Sequence, residues 1–166
     1  MFCLFQTYNT DHQTPDSAST ATAMFTRVKT NTGTIGFDNK IVRGDVESIN
    51  EATPLKTILH HAQQAGKDTG FVTTTRVTHA TPASLYAHSA ERDWECYHDI
   101  EDEMLPESVH DIAWQLINQE PGNSAKVMMG GGFKAFKPHD KNDRNDPLSN
   151  EDHSDDYENS CHTNGR

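Results

Sequence analysis

The stretch Thr14-Pro15-Asp16-Ser17-Ala18-Ser19-Thr20-Ala21-Thr22-Ala23 decides how the rest of the chain is read. Pro15 has a fixed φ and no N–H, so it stands at the entrance of a helix rather than inside one. Asp16 is a strong N-cap, and its charge suits the positive end of a helix. Only small residues follow until Met24 and Phe25. A helix of Ala, Ser and Thr buries little area, so its use is close approach to a neighbouring backbone. Ser17 falls among the first helical residues, where unpaired backbone N–H groups point outward and favour an anion. A hydroxyl beside such an end is what phosphoryl or acyl transfer requires. Asp-Ser at a helix start is also common capping chemistry, and the local pattern alone does not separate the two readings.

Working outward, residues 17 to about 28 read as this short helix and Thr30 to Gly36 as a loop. Thr53 and Pro54 are expected to open an amphipathic helix that carries Leu55, Ile58, Leu59, Ala62 and Ala65 and stops at Gly66. Phe71-Val72-Thr73-Thr74-Thr75 is rich in β-branched residues and reads as a buried strand. Pro82, capped by Thr81, is expected to open a second small-residue helix through about Ala90. Ser108 to Asn118 reads as a further helix with Ile112, Ala113, Leu116 and Ile117 on one stripe. Lys126-Val127-Met128-Met129 reads as a strand running into Gly130-Gly131-Gly132. Helices alternating with strands predict an α/β sheet with crossover connections. From Pro138 to Arg166 the chain is rich in Asp, Asn and Ser with almost no apolar residues. That segment reads as an acidic polar loop or a disordered tail after a domain spanning residues 1–137.

The chain has 166 residues and a formal net charge of -11. That balance argues against nucleic acid or an anionic membrane surface as a partner, since both attract basic patches. It does not argue against phosphate esters, because a site controls its own local field. No stretch approaches the ~20 apolar residues of a membrane span. Met1-Phe2-Cys3-Leu4-Phe5 is too short for a secretory signal and lacks a basic start. Cys3, Cys96 and Cys161 have no metal-ligand spacing, and redox compartment cannot be read from them. Of the ten histidines, His60 and His61 are adjacent and diverge on a helix. His98, His110, His139, His153 and His162 are scattered, which fits surface histidine better than a metal site. The glycine triplet is followed by no Lys-Ser/Thr pair, so it is not a Walker sequence.

Longer motifs carry more information. Thr7-Tyr8-Asn9 with the run Thr14 to Ala23 resembles the nucleophile segment of alkaline phosphatases. Val72-Thr73-Thr74-Thr75-Arg76-Val77-Thr78-His79-Ala80-Thr81-Pro82 resembles the second motif of that family, continued by Tyr86-Ala87-His88 and Arg92-Asp93-Trp94. Asp111-Ile112-Ala113 and Met129-Gly130-Gly131-Gly132 resemble the next landmarks of its animal and insect members. The matches are collinear from about residue 7 to about residue 136. A related metallophosphoesterase or sulfatase-like enzyme explains the span from Thr81 to Arg92 poorly.

The resemblance implies a portion of a three-layer α/β/α core with an incomplete sheet. It implies hydrolysis of phosphate monoesters, with Ser17 as the nucleophile that is transiently phosphorylated and a zinc ligand. Arg92 is then the substrate-binding residue, since its planar fork holds two phosphate oxygens. Charge pattern alone would place Arg92 on a solvated surface, in Glu91-Arg92-Asp93. Thr81 matches a magnesium-binding hydroxyl. Asp16 and His79 match supporting positions behind the metal ligands, and His88 is expected to pack near the site. The family's cofactors are two zinc ions and one magnesium ion. Most of their ligands match nothing in this chain, so the isolated chain is expected to be inactive or nearly so and only marginally folded. A truncated pseudoenzyme or binding module is the alternative. Animal relatives imply a homodimer on the outer cell surface, held by a lipid anchor for which this sequence has no signal. They also carry a disulfide, one cysteine of which is replaced here by Val109.

Overall fold

In the computed structural model, the residues described are 6–100, 106 and 109–136. Helix α1, Ser17–Thr26, starts where Pro15 and Asp16 place it, and Asp16 accepts the Ser19 backbone N–H. It ends at Arg27, which takes a left-handed φ of 69° and returns its N–H to the Ala23 carbonyl. The small residues serve close approach. Ala18 and Ala21 are buried against the four-residue helix α3, Ala80–Ala83, whose Ala80 and Ala83 are equally buried. The Ser84 hydroxyl reaches the carbonyls of Ala18 at 3.3 Å and Ala80 at 2.8 Å, which ties the two helices together.

Helix α2, Ile58–Gln64, begins later than the expected start at Thr53 and Pro54. Pro54 forms an antiparallel bridge with Phe37, and the Leu55 N–H donates to the Gly36 carbonyl at 2.8 Å. This pairing holds the segment extended until Thr57 caps the helix in its place, with His60 Nδ1 accepting the Thr57 N–H. Helix α3 is also shorter than expected. Its N-cap is His79, not Thr81, and it stops at Ala83 because the chain turns back to pair Ser89 with Ile35. Helix α4, Ile112–Asn118, is capped by Asp111, whose carboxylate accepts the Trp114 N–H at 2.6 Å. That cap, rather than Ser108, sets its start.

Strands β1, Gly70–Arg76, and β2, Val127–Gly131, pair in parallel with Gly70 opposite Val127 and Val72 opposite Met129. The register shifts before Arg76 meets Gly131. The expectation of a buried strand is corrected here. Only Phe71 of β1 is buried, stacked on Tyr86, while Val72 is exposed and β2 is exposed throughout. Parallel strands usually have both faces covered, and among the described residues the outer face of this pair has no cover. The main core lies on the other face, where Phe71, Tyr86, Leu59, Ile112 and Leu116 meet the α1–α3 pair. A second cluster gathers Phe37, Ile41, Ala52 and Ala90. Cys96, buried in a third cluster, is disulfide-bonded. The polar segment from Pro138 to Arg166 lies outside the described residues, as do Cys3 and Cys161.

This layout aims three segments at one spot. The start of α1 brings Asp16 and Ser17. The turn leaving β1 brings His79. The Ile35–Ser89 bridge carries the following residues toward Gly33, whose carbonyl accepts the Arg92 N–H at 2.8 Å.

Candidate active site

The Arg92 guanidinium joins these segments. Its Nη1 donates to Asp16 Oδ2 at 3.0 Å and to Ser17 Oγ at 3.1 Å. Its Nη2 lies 3.3 Å from His79 Nε2. Guanidinium only donates, so His79 accepts at Nε2 and the neutral ring carries its proton on Nδ1. That Nδ1 is buried and, among the described residues, has no hydrogen-bond partner. Burial, then the nearby positive charges of Arg76 and Arg92, hold the His79 pKa below its usual value. Ser17 itself is half-buried in the first turn of α1.

Asp16 does more than cap α1. One carboxylate oxygen takes the Ser19 hydroxyl at 2.7 Å and the Ser19 N–H at 3.1 Å, while the other meets Arg92. Burial pushes its pKa upward, but the hydrogen bonds from Ser19, Gly33 and Arg92 outweigh that and hold it below the ordinary carboxylate value. An acid held this low stays ionised and is a poor proton acceptor at neutral pH. Ser19 is fixed in turn by the buried Asn9, whose side-chain amide donates to Ser19 Oγ at 3.1 Å.

Of the predicted residues, the structure brings together Asp16, Ser17, Arg92 and His79. Thr81 is exposed, two residues beyond His79, and among the described residues no hydrogen bond joins it to the other four. His88 packs and hydrogen-bonds, and among the described residues no hydrogen bond joins it to these four. Its Nε2 lies 3.1 Å from the Leu55 carbonyl and its ring packs edge-on to Phe37, in a small cavity with Trp94 and Gln115. Burial lowers its pKa. Sequence reasoning missed Asn9, Gly33 and Arg43 as supports. Their partners lie 10 to 59 residues away in the chain, and no local pattern announces them.

The metals that the resemblance implies need donors that are largely engaged here. Both Asp16 oxygens are engaged, Ser17 Oγ already accepts from Arg92, and among the described residues no three His, Cys, Asp or Glu side chains cluster. These residues do not by themselves fit a zinc or magnesium cage. Among the described residues, no helix is long and apolar enough to cross a membrane.

The strand pair and its flanking helices make this chain part of an α/β core. The alkaline phosphatase family model matches residues 1–159, and the chain belongs to that family. It is 46% identical over 128 residues to alkaline phosphatase 4 of Drosophila melanogaster, covering 77% of this chain and 21% of that protein. It is 44% identical over 140 residues to the human tissue-nonspecific isozyme, covering 84% of this chain and 26% of the isozyme. Among solved structures, it is similar to a histidine-to-aspartate mutant of TAB5 alkaline phosphatase with Mg bound in the M3 site. That match has a TM-score of 0.59 and 28% identity, and covers 79% of this chain and 30% of the other. The chain spans about a quarter of the length of the curated relatives it matches.

Proposed function

We propose that the chain carries the nucleophile segment of a phosphate monoester hydrolase, with Ser17 as phosphoryl acceptor and Arg92 as phosphate clamp. The observation that carries this is the 3.1 Å contact between Arg92 Nη1 and Ser17 Oγ at the start of α1. In the proposed reaction, Ser17 Oγ bonds to phosphorus as the ester alcohol leaves with a proton. Water then breaks the serine–phosphorus bond and releases inorganic phosphate. Arg92 supplies charge-assisted hydrogen bonds to the equatorial oxygens, where negative charge spreads in the transition state. Asp16 and His79 hold the guanidinium in place. Membership of the alkaline phosphatase family supports the reaction class.

Activation of the serine is the missing element. Asp16 is too acidic to take the hydroxyl proton, and His79 is turned toward Arg92. Two zinc ions and one magnesium would supply this chemistry in the whole protein, where Thr81 is proposed as a magnesium ligand. Losing such electrostatic support costs about 10²–10³ in rate for a single group. The chain on its own is therefore proposed to turn over barely, if at all. The whole protein is proposed to act as a homodimer at the outer cell surface, which kinship with animal members supports.

An assay of the purified chain with an aryl phosphate, zinc and magnesium tests both statements. Turnover is expected to fall at least ~10²-fold below that of a full-length relative. Any residual turnover is expected to vanish in Ser17→Ala. Turnover that survives Ser17→Ala would overturn the role of Ser17.

A further inference from the structure

Arg92 has a fourth side-chain neighbour besides Asp16, Ser17 and His79. Asp93 Oδ1 lies 3.6 Å from Arg92 Nε, and Asp93 Oδ2 lies 3.4 Å from Arg43 Nη2. One carboxylate thus bridges two guanidinium groups. Arg43 is itself locked by a two-point contact to Glu91, with Nε at 2.7 Å and Nη2 at 2.9 Å from the carboxylate. Glu91 is mostly buried, and its Oε1 also receives the Asp93 N–H at 3.3 Å. Arg43 lies across Gly33, whose φ is +77° and where a Cβ would come within 2.4 Å of the Arg43 side chain. The Gly33 carbonyl in turn holds the Arg92 backbone. Arg43 therefore ties the 31–45 loop to the Glu91–Asp93 turn on both sides of Arg92.

We infer that Asp93 and Arg43 are positioning residues that fix the direction in which Arg92 presents its N–H groups to a phosphate. The inference rests on the reading of Arg92 as a phosphate clamp. Asp93 has a side chain 70% exposed, so its ion pairs add little to stability. Their consequence is directional. With Nε turned to Asp93, Nη1 to Asp16 and Ser17, and Nη2 to His79, the guanidinium plane is set on three sides. Of the five N–H groups, this leaves one on Nη2 for an anion. Held this way, Arg92 loses little freedom on binding.

Charge gives a sharp test, because the two simple accounts predict opposite signs. If Asp93 acts only through its negative field, Asp93→Asn tightens inorganic phosphate. If it positions Arg92, Asp93→Asn weakens phosphate, by about 2–5-fold for a pair this exposed. Arg43→Met is expected to weaken it similarly, and Arg43→Lys is expected not to restore it, since lysine cannot make the two-point contact with Glu91. In an Arg92→Met background, Asp93→Asn is expected to cause no weakening.

A second measurement needs no ligand. In ¹⁵N relaxation of the full chain, the Arg92 Nε–H signal is expected to be rigid in the parent and looser in Asp93→Asn and Arg43→Met. An unchanged Arg92 signal in both variants, or tighter phosphate binding in Asp93→Asn, overturns the positioning role. A parent chain that binds no phosphate contradicts the clamp reading instead, and the relaxation data still decide the positioning role.

Discussion

Arg92 and Ser17 stand 75 residues apart in sequence, yet the Arg92 Nη1 donates to Ser17 Oγ at 3.1 Å. The same nitrogen holds Asp16, so one guanidinium fixes both the cap and the first residue of α1. If this arrangement is a phosphate site, Arg92→Lys should weaken inorganic phosphate binding by about ten- to a hundredfold. That is the range of one or two hydrogen bonds to a charged group. Titration calorimetry of the two chains reads the effect, and equal affinities would contradict the clamp.

Asp16 combines two roles that substitution can separate. Asp16→Ala removes the cap and should cost about 1 kcal/mol of stability, whereas Asp16→Asn keeps the cap and removes only the charge. Because the folded pKa of Asp16 lies below 3.8, its stabilisation is present above that pH and is lost as pH falls below it. Thermal melts from pH 7 to pH 2 should therefore show the parent converging on Asp16→Asn at the acid end. Parallel melting curves would contradict this.

Asp111 behaves in the opposite sense. Burial is the main cause that raises its pKa to about 6, with the Asp99 charge adding to it, against the hydrogen bonds of the α4 cap. Folding therefore takes up a proton between pH 3.8 and about 6, so stability from this group declines as pH rises through that window. Asp111→Asn keeps the cap without the buried charge. It should be more stable than the parent above pH 6, on the order of 1–3 kcal/mol, with the gap closing below pH 4 or so. A variant less stable than the parent at pH 8 would contradict the assignment.

The contact between α1 and α3 depends on small residues. Ala18 is fully buried and its carbonyl receives the Ser84 hydroxyl. Ala18→Leu should cost about 1–3 kcal/mol by overpacking, measured by urea denaturation. It should also displace Ser17. A neutral effect would show that the helices can separate freely.

The start of α1 was legible in the sequence because Pro15, Asp16 and the small-residue run are local signals. The two strands have equally local signals, whereas the start of α4, expected at Ser108, is set by the Asp111 cap. Thr53 and Pro54 misled because a helix signal there is overruled by pairing with Phe37, a partner 17 residues away that no local pattern names. Helix α3 was over-extended for a similar reason, since Ser89 is drawn to Ile35. The proposed site was legible only through long motifs. Ser17 and Arg92 each had an ordinary local explanation, and their meeting depends on Gly33, Asp93 and Arg43, which are set by tertiary contacts.

The most direct test of the central claim is to map the phosphoryl group. The chain would be incubated with an aryl phosphate, zinc and magnesium, quenched in acid and analysed by peptide mass spectrometry. Slow labelling, far below one phosphate per chain but confined to Ser17 and absent in Ser17→Ala, is the predicted result. Phosphate on another residue, or equal labelling in Ser17→Ala, would contradict it.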